Sequence, residues 1–205
     1  DIRPSRGLGD VYKRQGIESP TLVGSISLVG ARLDDLVLKQ YGQTVEVNSE
    51  RIHLLHPSGA PKSYFAEFGW VGGSDSPNLP GPTTIWSSDG KQLMPGQPVT
   101  LSWDNGAGLK FERTYSLDEG YMVTVTQKVI NTGETPTALF PYGLIARSGT
   151  PDTLGFYILH EGPLGVFDGT LREYDYDDVQ ETRKIEVTSN GGWIGICLLY
   201  TSDAA

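Results

Sequence analysis

The sequence predicts an all-β protein, a large antiparallel β-sandwich, on three observations. Apolar and polar residues alternate with period two in several runs, as half-buried strands require. Turn residues separate those runs at intervals of about 8–12 residues. The chain holds 26 glycines and 13 prolines among 205 residues, and no apolar stripe of helical period is convincing over a dozen residues.

In chain order, residues 21–29 and 33–39 read as a first strand pair, and residues 52–55 and 64–71 as a second. Residues 72–88 (GGSDSPNLPGPTTIWSS) are rich in Pro, Gly and Ser and predict a long loop with room for a short 3₁₀ turn. Residues 99–103, 109–117 and 122–130 form the clearest set. Leu109, Phe111, Tyr115 and Leu117 alternate with Lys110, Glu112, Thr114 and Ser116, and MVTVTQKVI at 122–130 is rich in β-branched residues. The turn signals NGAG, DEG and NTG that divide or follow these runs predict a meander. The apolar run at 141–145 (PYGLI), continuing at 155–163, reads as a buried strand, a turn and a glycine-rich return. Residues 171–181 are the best candidate for a helical turn, though their acidity fits an exposed connection equally well. Residues 182–188 and 193–196 are expected to be strands.

Both ends break the pattern. Residues 1–15 are basic in an otherwise acidic chain, and residues 197–205 (CLLYTSDAA) depart from the strand that precedes them. Both resemble translated adapter sequence and are set aside from fold reasoning. The expected domain is therefore residues 16–196.

A formal net charge of −9 repels phosphate backbones and anionic headgroups, so nucleic-acid binding and adhesion through a basic patch are disfavoured. No stretch approaches the roughly 18 apolar residues of a spanning helix. The single cysteine, Cys197, leaves no internal disulfide to form.

Candidate chemistry is sparse. The histidines are His53, His56 and His160. An offset of three on a strand puts His53 and His56 on opposite faces, away from a shared metal. His160 and Glu161 are a tempting acid–base pair. As strand neighbours they should point apart, so the expectation is an imidazole capping a loop with Glu161 in solvent. Asp34-Asp35 and the cluster Asp175, Asp177 and Asp178 lack the glycine and terminal Glu of a calcium loop and read as solvated turns. Arg113 falls on the apolar register between Phe111 and Tyr115. It is expected to pack its stem and carry its head to the rim, with a cleft that receives a carboxylate as the alternative. There is no nucleophile elbow, phosphate loop or dinucleotide fingerprint, so no catalytic, cofactor-binding or metal residue is assigned. Arg113, Tyr115, His160 and Glu161 remain possible cleft or partner contacts.

Several stretches, in order, resemble the first large periplasmic domain of YidC-type membrane-protein insertases: GSISL at 24–28 with GARLDDL at 30–36, YFAEFGW at 64–70, LSWDNG at 101–106, PYGLI at 141–145, FYILHEGP at 156–163 and GGWIGI at 191–196. Each is weak alone; their number and order make the set specific. The resemblance implies a β-supersandwich of galactose-mutarotase-like fold, cut short at its C-terminal side, so that an edge is exposed. It also implies an accessory, non-enzymatic role on the periplasmic side of the bacterial inner membrane. The implied partners are SecD–SecF of the Sec translocon and nascent membrane-protein clients, with no cofactor. A carbohydrate-binding or aldose-1-epimerase-like sandwich is the alternative.

Overall fold

The computed structural model of the chain describes residues 14–73, 78–150 and 160–197. They fall into two compact units, one made of residues up to 42 with 48–148, the other of residues 43–47 with those from 149 onward.

The first unit holds ten strands: β1 (Arg14–Glu18), β2 (Leu22–Ser27), β3 (Arg32–Gly42), β4 (Arg51–Leu55), β5 (Tyr64–Gly72), β6 (Ser87–Ser88), β7 (Val99–Asp104), β8 (Leu109–Leu117), β9 (Val123–Asn131) and β10 (Leu139–Arg147). One antiparallel sheet runs β1-β2-β3-β5-β10, with β4 also on β3; the other runs β6-β7-β8-β9. Their apolar faces share one core. Ile17, Leu22, Ile26, Leu33, Leu36 and Trp70 come from the first sheet, and Val99, Leu101, Leu109, Phe111, Tyr115 and Leu117 from the second. Aromatic packing joins them, with Trp70 edge-on to Phe111 at 5.0 Å between ring centroids. This is the expected all-β sandwich. The predicted meander is β7-β8-β9, and β8 alternates buried and half-buried residues along its whole length.

The predicted second pair is corrected. β4 and β5 do not form a hairpin ladder; both pair with β3, and among the described residues a single bridge between His56 and Tyr64 joins them. β3 spans 11 residues and its register with β4 shifts after Leu36. Two strands can therefore share one edge, β5 at Leu33 and β4 from Leu36 onward.

The two sides of this sandwich differ. On one side residues 84–95 act as a backbone strap. Trp86 N donates to Leu28 O and Gly30 N to Thr84 O, Leu93 exchanges hydrogen bonds with Gly16 and Glu18, and Pro95 bridges Leu117. On the other side lie β9 and β10, the last strands of their sheets among the described residues. There a side-chain bond spans the gap, from Gln127 Nε2 to Tyr142 O at 3.3 Å.

The second unit contains β11 (Gly162–Phe167), β12 (Thr170–Glu173), the helix α1 (Tyr176–Thr182) and β13 (Gly192–Cys197), in sheet order β12-β11-β13. Asp168 and Gly169 turn β11 into β12 with φ of 48° and 82°, the left-handed pair that two-residue hairpins demand. Asp177 and Asp178 sit in the first turn of α1, where the helix dipole favours negative charge. The strand expected at residues 182–188 is absent: Thr182 ends α1 and residues 184–189 have no regular structure. Their β-branched content gives propensity, but among the described residues no strand pairs with them. The pairing also reaches past the expected limits of 16 and 196, because Arg14 and Gln15 pair in β1 and Cys197 pairs with Gly162.

Candidate interaction surface

Arg113 does not reach the rim. It is 1% exposed in the middle of β8, and Tyr115 is fully buried beside it. The Arg113 guanidinium donates to Ala31 O at 2.8 Å, to Gly30 O at 3.4 Å and to Phe68 O. Tyr115 Oη donates to Ala31 O at 2.7 Å. Trp86 and Trp70 close on the guanidinium, 4.8 and 5.7 Å from its carbon to the ring centroids. Gly30 and Ala31 both take positive φ, which turns their carbonyls toward this cation. Neither residue is available to a partner or a cleft; together they tie the meander to the β2–β3 turn and to β5. Burial pushes the Tyr115 hydroxyl pKa up, with the neighbouring guanidinium opposing it.

The two aspartates predicted in a solvated turn are buried on β3, Asp34 at 4% and Asp35 at 8% exposure. Each has a partner, as buried charges must. Arg14 pairs with Asp34, and its Nε donates to Ser25 Oγ at 2.8 Å. Ser25 Oγ in turn donates to Asp35 Oδ2 at 2.6 Å. The β2–β3 register shifts between Ser25 and Ile26, at this cluster.

His53 and His56 also depart from expectation. The chain leaves strand geometry after Leu55, so their rings stack 5.5 Å apart with planes at 16°. Burial, and then the neighbouring His53, lower the pKa of His56; Asp35 opposes them and Arg147 adds to the lowering. The folded protein thus takes up this proton at lower pH than the unfolded chain does. Urea midpoints should therefore fall as pH drops through about 6.5 and level off below the folded pKa. His56→Gln should flatten that slope, and an unchanged slope would contradict the assignment.

In the second unit, His160 precedes β11 with Nε2 3.3 Å from Pro163 O and Nδ1 3.8 Å from the Asp175 carboxylate. Glu161 is half-buried rather than free in solvent. Of the run at 155–163, residues 155–159 lie outside the described residues. A shallow depression of about 350 Å³ is lined by Val166, Phe167, Ser189, Asn190, Trp193 and Ile194.

The larger surprise is β10, predicted to be buried. Phe140, Tyr142, Leu144 and Ile145 are all exposed, Phe140 at 65%. β10 pairs with β5 along one edge only among the described residues. On the outer face Phe140 stands opposite Val71, itself 55% exposed, and Leu144 opposite Glu67. Tyr142 lies over Gly69, where a Cβ would sit 2.6 Å from the ring, and donates to Glu67 Oε1 at 3.1 Å. Arg32 Nε binds the other oxygen of Glu67 at 2.6 Å. Toward the core, Leu139 and Pro141 join Trp70, Leu109 and Val129 around a depression of about 250 Å³. Pro141 was the available sequence signal, because proline inside a strand is confined to edges and bulges.

A sequence model described as the YidC periplasmic domain matches residues 14–200. "Membrane protein insertase YidC" of Methylorubrum extorquens (strain PA1) is 46% identical over 202 residues, covering 94% of this chain and 33% of the relative. The protein of the same name from Bradyrhizobium diazoefficiens is 44% identical over 193 residues, covering 93% of this chain and 31% of the relative. That from Acidiphilium cryptum (strain JF-5) is 45% identical over 199 residues, with 91% and 33% covered. The chain thus spans about a third of the length of the curated relatives it matches. With the antiparallel sandwich already in view, these likenesses decide its kinship: the chain belongs to the YidC periplasmic domain family, on the periplasmic side of the bacterial inner membrane.

Proposed function

We propose that this domain serves a membrane-protein insertase as a protein-binding accessory, working by contact and without covalent chemistry. SecD–SecF of the translocon and extended segments of membrane-protein clients are its proposed partners. The observation that supports the reading is β10, the end strand of its sheet among the described residues, with apolar side chains exposed on both faces. Such an edge can accept a further strand: main-chain hydrogen bonds supply affinity, and the alternating side chains on either face supply selectivity. Exposed apolar area of this kind marks interaction sites in soluble domains. Catalysis has no comparable support, since Arg113 and Tyr115 are enclosed in the core.

The reading is tested in the full-length insertase in native membranes, with a photo-crosslinking side chain at Phe140, at Leu144, and at the exposed Thr126 of β9 as control. Adducts to SecD–SecF or to an arrested client are expected from the first two positions and not from the third. Phe140→Asp should remove most of the yield at position 144. If SecD–SecF is not enriched over a charge-matched control, the translocon partner is excluded. If no adduct forms with either class, the accessory role at this edge is wrong.

A further inference from the structure

We propose that Asn190 is a site of spontaneous covalent modification, converting to aspartate and isoaspartate through a succinimide, while the sequence-equivalent Asn105 is protected by the fold. The chain has two Asn-Gly steps among the described residues, Asn105-Gly106 and Asn190-Gly191. In such a step the backbone nitrogen of the glycine attacks the asparagine Cγ. A C–N bond forms, the side-chain nitrogen leaves as ammonia, and a five-membered succinimide results. Water then opens either carbonyl, giving Asp or isoAsp, so the net change is ammonia lost and water gained. Glycine favours the attack because no Cβ hinders its nitrogen and its backbone turns freely.

The two sites differ in what must break before attack. Asn105 Oδ1 accepts from Ala107 N at 2.8 Å and from Leu109 N at 3.0 Å, and its Nδ2 donates to Asn78 O at 3.3 Å. The nucleophile there is held as well, since Gly106 N donates to the Asp104 carboxylate at 2.7 Å. At the other site the Asn190 side chain is exposed and makes no hydrogen bond among the described residues. Its nucleophile, Gly191 N, has among the described residues a single long bond, 3.3 Å to Ser189 Oγ. With each net hydrogen bond resisting the rotation, conversion at Asn105 is expected to be slower on the order of thirtyfold, a factor equal to about 2 kcal/mol of barrier.

The position gives the reaction a structural consequence. Asn190 lies in the turn that precedes β13, and its own N–H donates to Asp168 Oδ1 at 2.9 Å. Asp168 N in turn donates to Ser189 Oγ at 2.9 Å and to Gly191 O at 3.1 Å. Isoaspartate inserts an extra methylene into the backbone of this small closed network and adds a carboxylate beside Asp168. The depression between Phe167 and Trp193 is lined by Ser189, Asn190 and Gly191 of this network and changes shape with them. The modification is therefore a one-way, time-dependent alteration of one face of the second unit.

Peptide mapping by mass spectrometry, with enzymatic isoaspartate methylation, tests the proposal on the folded chain incubated at mildly alkaline pH. The Asn190 peptide should gain isoaspartate while the Asn105 peptide stays unchanged over the same period. In denaturant the two should convert at similar rates, which ties the difference to the fold. Asn190→Gln should abolish the signal and Gly191→Ala should slow it. Equal rates at both asparagines in the folded chain would overturn the proposal. So would an Asn190 that stays intact while the denatured chain converts.

Discussion

Arg113→Ala is expected to destabilise the first unit by about 3–5 kcal/mol, read as a lower denaturation midpoint, because it combines a core cavity with the loss of a buried ionic anchor. The guanidinium spans both sheets: its stem belongs to β8, while its donors reach the carbonyls of Gly30, Ala31 and Phe68. No carboxylate stands within ion-pair distance of it among the described residues, so carbonyl dipoles and the faces of Trp70 and Trp86 carry the compensation. Among the described residues the buried Nε has no hydrogen-bond partner, a further sign that the geometry is set by the other donors. Arg113→Lys separates charge from shape. It keeps the cation, but a compact ammonium cannot fork to carbonyls on two elements, and a loss of about 2–3 kcal/mol is expected. Arg113→Met fills part of the volume and removes the guanidinium's bonds to Gly30, Ala31 and Phe68, leaving Ala31 O with Tyr115 Oη. A methionine variant as stable as the parent would show that the carbonyl tie contributes nothing net.

Gly24→Ala is expected to cost about 3 kcal/mol or more, at the upper end of what forced overpacking does. A Cβ at this position would lie 2.0 Å from Asp35 O, and that obstacle is backbone rather than a side chain that can swing away. β2 and β3 would have to part beside Ser25, which holds the Arg14, Asp34 and Asp35 cluster together. Hydrogen exchange should locate the damage in β2 and β3. Gly16→Ala is the matched control. Its Cβ would meet only Gln92 at 3.9 Å, so a change within about 0.5 kcal/mol is expected. Equal damage from the two substitutions would show that strand glycine itself, and not the close approach at Asp35, sets the effect.

The meander was legible because each of its strands alternates cleanly and each turn carries its own glycine. Leu109, Phe111, Tyr115 and Leu117 are buried as their period required. Where the sequence misled, the deciding partner lay far along the chain. Nothing local to Asp34 and Asp35 marks them as buried; their partners Arg14 and Ser25 do, and part of that set belongs to a stretch that composition had put aside. Arg113 looked like a side chain bound for the rim because its acceptors are backbone carbonyls of a distant turn, which no residue pattern displays. His53 and His56 stack because the strand ends between them, a boundary finer than periodicity resolves. For residues 184–189, propensity favours a ladder that no pairing among the described residues supplies. Hydrophobicity alone predicts a buried β10, whereas Pro141 carries the contrary signal.

The unequal sides of the sandwich also set an order of assembly. β7, β8 and β9 meet through short turns, whereas β10 must find β5 across the whole intervening meander. Closing so long a loop is entropically expensive, and such pairings come late in folding. Phe140, Tyr142 and Leu144 therefore meet solvent as a nascent segment before β10 finds β5. For a chain that folds outside the cytoplasm, this is the interval in which holding factors have the most to gain by covering β10.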